Sequence, residues 1–225
     1  MLRFAALFSL GYPVLNLKRS ASAGNKSDPR PYPLTADIIT DAYWAEMRAS
    51  RHYDGYCQKA LLEDFPNIAY LFSAFSISEK THAVNYQRLL FSLGSSLEPT
   101  EISVMVANTK ANLNLAAIKE LEKINTYYPE VLKKISSESH DQTAVYCMYS
   151  WKSHQQHERM IHDIKRYSGI FFRPLAKKIE SMNPNYYVCE ICGSTIDEKP
   201  TIPCLICNHP LVHYKKIQRP VLDLS

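Results

Sequence analysis

The chain has 225 residues, of which 46% are hydrophobic, so it can bury a core of ordinary domain size plus a small module and is not predicted to be disordered. The formal net charge is +4, and because three basic residues lie in the first 23 positions, the remainder of the chain carries only about +1. The 15 tyrosines are scattered through helical segments and do not alternate with a basic stripe, which disfavours a nucleic-acid groove.

The N-terminal segment is typical of a secretory signal. An apolar run of 14 residues at 4–17 follows one early basic residue, and the small residues "ASA" at 21–23 suit a cleavage site. A membrane-spanning helix needs roughly 20 residues, so this run is too short for one. Lys18 and Arg19 also fit a basic organelle presequence, and an uncleaved cytoplasmic tail is the third alternative. We therefore expect residues 1–32 to be a targeting segment and linker, with export favoured.

Four helical runs follow the proline-rich linker, each with apolar residues at helical spacing. They are predicted at 35–61, 68–93, 101–135 and 142–167. Pro66 lies near the start of the second run, where its missing N–H costs least, and Pro129 predicts a kink in the third run. With turns at 62–67 and 136–141 and a longer connection at 93–100, the pattern predicts two helical hairpins joined by a crossover, which is a four-helix bundle.

The first hairpin carries a candidate set of metal ligands. Glu79 and His82 lie one turn apart on the second run, so both side chains leave the same helix face. Alone, this spacing is more often that of an exposed polar pair. Glu46 on the first run, however, lies 33 residues before Glu79, and with a turn near Asp64 the two carboxylates are 18 and 15 residues from the bend. Both are therefore expected at nearly the same height in the bundle.

The second hairpin repeats this arrangement. Glu120 precedes His154 by 34 residues, and His157 follows one turn later, giving His-x-x-His where the first hairpin has Glu-x-x-His. Apolar residues flank the carboxylates, and metal ions would supply the charge that such buried carboxylates lack. One Glu from each of two helices and a paired motif from each of the other two is the pattern of di-iron carboxylate bundles. The candidate ligands of the bundle metals are Glu46, Glu79, His82, Glu120, His154 and His157.

The C-terminal part contains two Cys-x-x-Cys motifs separated by 11 residues. Their four thiolates, Cys189, Cys192, Cys204 and Cys207, are predicted to form a tetrahedral site for one iron or zinc ion. Gly193 and Asn208 follow the two motifs, where the turn favours a positive φ. Disulfides are the alternative if the protein is exported, although pairs so close in sequence would constrain little. Cys57 and Cys147 fall within helical runs and are interpreted as small buried hydrophobic residues.

Five stretches carry a resemblance to a known family: "AEMRASRHY", "SEKTHA", "NLNLAAIKEL", "YYPE" and "YVCEICG…PCLICNHP". Together they resemble the rubrerythrin family. The resemblance implies a mainly α protein with a ferritin-like four-helix bundle at 33–182, a small rubredoxin-like β/loop domain that binds one metal through four cysteines at 183–217, and a tail at 218–225. It implies a peroxidase in which two ferrous ions reduce hydrogen peroxide to water, with electrons arriving singly through the sulfur-bound iron. It also implies a homodimer or larger assembly that brings this iron close to a di-iron site.

The chain departs from the family pattern at two positions. His154 stands where the family has a carboxylate, which removes a negative charge from the site. Lys123, one turn after Glu120, stands where rubrerythrins have a further Glu. A lysine facing two cations would be repelled, so we expect it to turn outward or to pair with a ligand carboxylate. Tyr53 and Tyr128 are candidates for hydrogen bonds to the ligands by their position alone.

Peroxide reduction is the favoured function, because a di-iron site and a one-electron relay through a thiolate-bound iron in one chain suit a redox enzyme. The residues expected to be catalytic are Glu46, Glu79, His82, Glu120 and His157. The alternatives are a non-catalytic metal-binding or electron-transfer protein with a degenerate bundle site, and a ferroxidase or oxygen scavenger. The expected partners are hydrogen peroxide or oxygen and an electron-donor protein, with no nucleic acid.

Overall fold

The computed structural model describes residues 30–166 and 172–223. Its helices are α1 (Pro33–Leu62), α2 (Pro66–Ser92), α3 (Thr109–Glu122), α4 (Tyr128–Ile135), α5 (Asp141–Arg166) and α6 (Phe172–Ser181). A π-helical turn, Lys123–Tyr127, joins α3 directly to α4. Residues 1–29 of the predicted targeting segment lie outside the described residues. Within the described ranges, no helix is long and apolar enough to cross a membrane.

Helices α1, α2, α3–α4 and α5 pack as the predicted four-helix bundle. The turn between α1 and α2 places Asp64 at a positive φ of 62°, and a proline in the first turn of each helix preorganises the backbone there. Two clusters of buried apolar side chains lie in the bundle, one including Phe75 of α2 and the other Tyr86 of α2, and a third surrounds the cysteines of the C-terminal module. Glu79 and His82 lie between these two residues on α2, so the polar candidate ligands form a layer between two apolar ones.

The prediction of one helix over 101–135 is wrong at its beginning, because helix α3 begins at Thr109. Residues 95–108 form a connection without helix. The side chain of Asn108 accepts a hydrogen bond from the Ala111 N–H at 2.9 Å and so fixes the helix start. The preceding stretch "EISVMVA" alternates β-branched residues, which lose side-chain freedom in a helix.

The irregularity predicted at Pro129 lies one turn earlier, in the π-helical turn. Proline lacks an N–H, and in a regular helix its ring collides with the carbonyl four residues back. The wider turn ends where the Tyr128 N–H bonds to the Lys123 carbonyl, five residues back. The indole N–H of Trp151 donates to the Ile124 carbonyl at 2.9 Å, which stabilises the turn from α5. The position of Lys123 in the bundle is set by this turn.

Helix α6 is an element that the sequence pattern does not predict separately. Its Glu180 carboxylate accepts hydrogen bonds from the backbone N–H groups of Asn67 at 2.9 Å and Ile68 at 3.3 Å. These donors lie at the N-terminus of α2, so α6 caps that helix in the way a capping carboxylate does. The Asn67 amide donates back to the Ile179 carbonyl at 2.9 Å, which anchors the chain where it leaves the bundle.

The C-terminal module is a three-stranded antiparallel sheet with the strand order β2–β1–β3. The strands are β1 (Tyr187–Cys189), β2 (Thr195–Ile196) and β3 (Tyr214–Lys216), with a 3₁₀ turn at Leu211–His213 before β3. Strands β1 and β2 pack against α2, and β2 also packs against α5. The architecture is therefore the predicted one, a mainly α bundle followed by a small four-cysteine module.

Candidate metal centres

The bundle brings all six predicted ligands into one buried layer. Glu46 comes from α1, Glu79 and His82 from α2, Glu120 from α3, and His154 and His157 from α5. Each of these residues is at most 1% exposed, so the alternative of an exposed polar pair is wrong. Comparable distances from the hairpin turns place them at nearly one height, as expected from helix geometry.

The six side chains form two overlapping donor groups, named here position A and position B. Position A comprises Glu46, Glu79, His82 and His154, and position B comprises Glu79, Glu120, His154 and His157. Within each group the donor atoms all lie within 4.8 Å of one another. Because Glu79 and His154 belong to both groups, the two positions are neighbours.

Position B fits a divalent cation. His154 Nδ1 lies 2.7 Å from Glu120 Oε2, and His157 Nδ1 lies 3.2 Å from Glu79 Oε1. The buried atoms Glu79 Oε1 and His157 Nδ1 nevertheless make no hydrogen bond to any described residue. A buried polar atom without a partner is costly, and a metal ion would bind both atoms. Two carboxylates with two imidazoles form a donor set that suits iron.

Position A contains the amino group of a lysine. The ammonium of Lys123 donates to Glu46 Oε2 at 2.5 Å and lies 3.4 Å from Glu79 Oε2. It also lies 3.3 Å from His154 Nε2, and the Lys123 side chain is only 14% exposed. Of the two expectations for this residue, outward orientation is wrong and pairing with a carboxylate is what the structure shows.

The buried charges shift one another's pKa values. Burial alone would raise the pKa of Glu79 and Glu120, but neighbouring positive charge, first of all at His154, lowers both below the ordinary range. Burial alone would lower the pKa of Lys123, but the carboxylates, first of all Glu46, raise it above its ordinary value. Glu79 and its neighbouring carboxylates likewise outweigh burial and raise the pKa of His154 to about 10. Glu79 and Glu120 are therefore ionised, and a metal at His154 would displace a proton.

The two tyrosines singled out by position contact ligand carboxylates. The phenol of Tyr53 donates to Glu120 Oε1, and the phenol of Tyr128 donates to Glu46 Oε1. Burial and these carboxylates raise the pKa of both phenols well above the ordinary value. The tyrosines therefore remain protonated donors that orient the carboxylates.

The four cysteines of the C-terminal module come together as predicted. Cys189 Sγ lies 3.7 Å from Cys207 Sγ, and Cys192 Sγ lies 3.5 Å from Cys204 Sγ. A tetrahedron with metal–sulfur bonds of about 2.3 Å has edges of roughly 3.8 Å, so these distances fit one metal ion. All six cysteines are free thiols.

The turns that follow the two Cys-x-x-Cys motifs have the expected backbone. Gly193 has a φ of 78° and Asn208 a φ of 57°. The N–H of Gly193 donates to the Cys189 carbonyl at 2.9 Å, and that of Asn208 donates to the Cys204 carbonyl at 2.7 Å. Each turn therefore folds its thiolate pair onto one side, as a tetrahedral site requires.

The four-cysteine module contacts the bundle ligands of its own chain. The Nε2–H of His82 donates to the Cys192 carbonyl at 3.1 Å. On the other histidine, His157 Nε2 lies 3.1 Å from Thr195 Oγ1. Each ring thus has one nitrogen held by the module while the other faces the carboxylates, the usual way in which an outer partner orients a ligand imidazole.

Two serines complete this contact, and sequence reasoning missed them. Ser78 Oγ donates to the Gly193 carbonyl at 2.6 Å, and Ser153 Oγ donates to the same oxygen at 2.9 Å. Each serine lies four residues before a ligand histidine, so it points from the same helix face. That shared spacing before His82 and His157 is the signal by which they could have been found.

A cavity of about 350 Å³ opens onto the site between α1 and α3. Its walls include the buried Tyr53 and Glu120 and the side chain of Lys123. The remainder is lined by small and aromatic residues such as Ala45 and Ala49 together with charged or polar side chains such as Arg48 and His52. A small polar molecule can therefore reach the carboxylates from this face.

Comparisons with known proteins agree with these features. The family model described as Rubrerythrin matches residues 37–165. Rubrerythrin-2 of Clostridium acetobutylicum is 27% identical over 77% of this chain and 91% of its own length. Rubrerythrin-1 of the same organism is 26% identical over 80% of this chain and 93% of its own length.

Solved structures share the fold. A mixed-valence state of nigerythrin superposes with a TM-score of 0.68 at 18% identity, covering 94% of this chain and all of the other. A fully reduced, all-ferrous state of nigerythrin gives the same TM-score at 16% identity. At this identity the likeness shows the fold alone, and it confirms the predicted fold class over both the bundle and the four-cysteine module.

Proposed function

Because the chain belongs to the rubrerythrin family, we propose that it is a non-haem iron oxidoreductase that reduces hydrogen peroxide in the helical bundle with electrons relayed through the four-cysteine site. The observation that carries this proposal is the direct contact between the two candidate centres. Both His82 and His157 are bonded to residues of the four-cysteine module, through Cys192 and Thr195 respectively. A one-electron carrier placed against a ligand set of this kind suits a redox enzyme better than a storage protein.

The residues that would hold the metals follow from the geometry. Positions A and B are where the two ions of the family's di-iron pattern would bind, and the four cysteines would hold a single iron. Iron held in this way would supply the electrons that break the O–O bond of peroxide. Position B fits such an ion through its unpartnered buried atoms, whereas position A is shared with Lys123.

The protein supplies a route for peroxide to the bundle site and a source of the protons that its reduction consumes. The reduction of hydrogen peroxide to two water molecules consumes two electrons and two protons, so a proton source beside the substrate is needed. The cavity leads peroxide to Glu120, and the phenol of Tyr53 both lines this cavity and donates to that carboxylate. We assign Tyr53 and Glu120 the role of passing a proton from the cavity to the reduced oxygen.

The relay lies within one chain. The path from the sulfur site to the bundle runs from Cys192 through its carbonyl to the Nε2–H of His82, a single hydrogen bond of 3.1 Å. The resemblance implied that an assembly brings the two centres together, but in this chain the contact is intramolecular. A homo-oligomer, an electron-donor protein and an exported location stay predictions.

The proposal is tested by mixing the anaerobically reduced, iron-loaded full-length protein with hydrogen peroxide and following reoxidation of the iron–thiolate absorbance. Glu120→Gln removes the charge of a buried candidate ligand with little change in volume, and we expect it to slow reoxidation at least tenfold. Glu122→Gln, two residues along the same helix and exposed, is the matched control and should react like the parent.

Equal reoxidation rates in the parent and in Glu120→Gln would contradict peroxide reduction in the bundle. The four-cysteine site would then be the redox centre of an electron-transfer protein with a degenerate bundle. Reoxidation by dissolved oxygen, measured in parallel, separates peroxide reduction from ferroxidase or oxygen-scavenging activity.

A further inference from the structure

The amino group of Lys123 lies where position A would hold a metal ion. It is within 3.4 Å of atoms of Glu46, Glu79 and His154, three of the four residues of that position. The other oxygen of Glu46 accepts the hydrogen bond from Tyr128, so both carboxylate oxygens of Glu46 have partners. Position A therefore has its own cation, contributed by the chain.

Among the described residues, position B contains no lysine or arginine side chain, only two carboxylates and two imidazoles. The two ligand atoms that make no hydrogen bond to a described residue, Glu79 Oε1 and His157 Nδ1, both lie in position B. They face each other at 3.2 Å, a distance that allows an ion pair when His157 is protonated, but their geometry is not that of a hydrogen bond. The need for a metal is therefore confined to one of the two positions.

We propose that the ammonium of Lys123 takes the place of one metal ion, so that the bundle binds a single divalent cation, at position B. This inference rests on the proposed function in one respect, that the bundle holds metal at all. It differs from the family's di-iron pattern, which Lys123 and His154 together alter.

The buried charge agrees with one metal ion. Glu46, Glu79 and Glu120 are the buried carboxylates of the described residues, and together they carry three negative charges. One divalent cation and the Lys123 ammonium carry three positive charges, so with neutral imidazoles the layer is neutral. A second divalent cation would leave two positive charges uncompensated in a buried layer, which is strongly unfavourable.

The backbone holds Lys123 in this place. Lys123 is the first residue of the π-helical turn, and its carbonyl accepts the Tyr128 N–H that closes the turn. Trp151 from α5 bonds to the next carbonyl, that of Ile124, at 2.9 Å. π-helical turns inside α-helices are often found at functional sites, and here the turn fixes the start of the lysine side chain at the height of the ligands.

The test counts Mn²⁺ ions in the full-length protein. One equivalent of Zn²⁺ is added first to fill the four-cysteine site. Because Mn²⁺ prefers oxygen and nitrogen donors, the Mn²⁺ that then binds reports on the bundle. We expect the parent to bind one Mn²⁺ per chain with the electron paramagnetic resonance spectrum of an isolated ion. Lys123→Met and Lys123→Gln should bind two, with a spectrum that shows magnetic coupling between neighbouring ions.

A matched control is Lys119→Met. Lys119 is one turn earlier on the same face, but it is exposed and pairs with Glu122 at 2.7 Å, so this variant should bind one Mn²⁺ like the parent. Lys123→Gln serves as the second variant because its amide can still donate to Glu46 if Lys123→Met does not fold, and circular dichroism of the helices checks folding.

Two coupled Mn²⁺ ions in the parent would overturn the inference and leave the proposed function standing. One ion in the parent and one in both folded Lys123 variants would also overturn it, since the lysine would not be what excludes the second metal. Absence of bound Mn²⁺, and of bound Fe²⁺ beyond the four-cysteine site, from all proteins would reject metal binding by the bundle and with it the proposed function.

Discussion

Gly193 is the residue on which docking of the four-cysteine module against the bundle depends most directly. A Cβ atom added there would overlap His82 Nε2, and it would lie 2.8 Å from His82 Cδ2 and 3.0 Å from Ser78 Oγ. Ordinary contact begins at 3.4 Å, so to relieve the overlap with His82 Nε2 in Gly193→Ala the module must move away by roughly 1 Å, which a close-packed interior does not absorb freely. The ring of His82 cannot yield instead, because it is buried and packed within the ligand layer.

The expected magnitude has two parts. Gly193 has a φ of 78°, a conformation that costs an L-residue about 1–2 kcal/mol. Displacement also weakens the hydrogen bonds that the Gly193 carbonyl accepts from Ser78 and Ser153 of the bundle, each contributing about 1 kcal/mol. We therefore expect Gly193→Ala to lower the free energy of unfolding by about 3–4 kcal/mol in total.

Gly94→Ala is the matched control for the backbone part. Gly94 has a similar φ of 72°, but nothing lies within 4 Å of its added Cβ atom. We expect this variant to lose only about 1–2 kcal/mol. The difference between the stability losses of the two variants therefore measures the contribution of module docking, because the cost of the backbone conformation is common to both.

The assay is urea unfolding of the iron-loaded full-length protein, followed by circular dichroism and by iron–thiolate absorbance. Gly193→Ala should also slow reoxidation of the thiolate-bound iron by peroxide, whereas Gly94→Ala should not. Equal losses of stability in the two variants, with equal reoxidation rates, would refute the reasoning that the module is docked through residue 193.

Further changes test the ligand layer and its supports. His157→Ala should lower the metal content of the bundle and His154→Glu should keep or raise it, as measured by mass spectrometry of bound metals; parent-like content in both would contradict the ligand assignment. Tyr53→Phe removes a buried hydrogen bond and should cost the metal-free protein about 1–2 kcal/mol of unfolding free energy, whereas unchanged stability would show that the bond contributes nothing. Burial slightly disfavours the charged form of Glu138, but hydrogen bonds from the backbone N–H groups of Thr35 and Leu34 outweigh it and lower the pKa of this carboxyl. The ionised Glu138 therefore stabilises the folded state at pH values above the ordinary pKa of a glutamate. This stabilisation is lost as the pH falls through the lowered pKa of the folded state. Glu138→Gln should therefore lower the free energy of unfolding by about 0.5–1 kcal/mol near neutral pH, allowing for solvent screening, and should not change it in strong acid. A difference in stability between the parent and the variant that persisted in acid would contradict this reasoning.

The ligand layer was predictable from the sequence because helical spacing and turn positions determine height. Glu46 and Glu79 lie at comparable distances from their turn, and the second hairpin repeats this arithmetic for Glu120 and His154. Apolar spacing indicated the helices, and the Cys-x-x-Cys spacing indicated the sulfur site, since both are local patterns.

Other features depend on contacts that spacing does not encode. Helix α3 begins late because Asn108 caps it and β-branched residues precede it. The direction of Lys123 depends on the π-helical turn, which only the bond between Lys123 and Tyr128 reveals. The serine contacts to Gly193 require the module to be docked, and the sequence does not tell where the module lies relative to the bundle.

The contact between Cys192 and His82 within one chain has a consequence for the rate of electron transfer. When carrier and acceptor belong to one chain, their encounter requires no diffusion, and its rate is independent of protein concentration. Dilution from micromolar to nanomolar protein should leave the transfer rate unchanged, whereas a carrier delivered by a second chain would become limiting as the assembly dissociates. Under the proposed function, electron delivery from an external donor to the four-cysteine site remains a bimolecular step. In a dilute compartment, the supply of that donor would limit turnover.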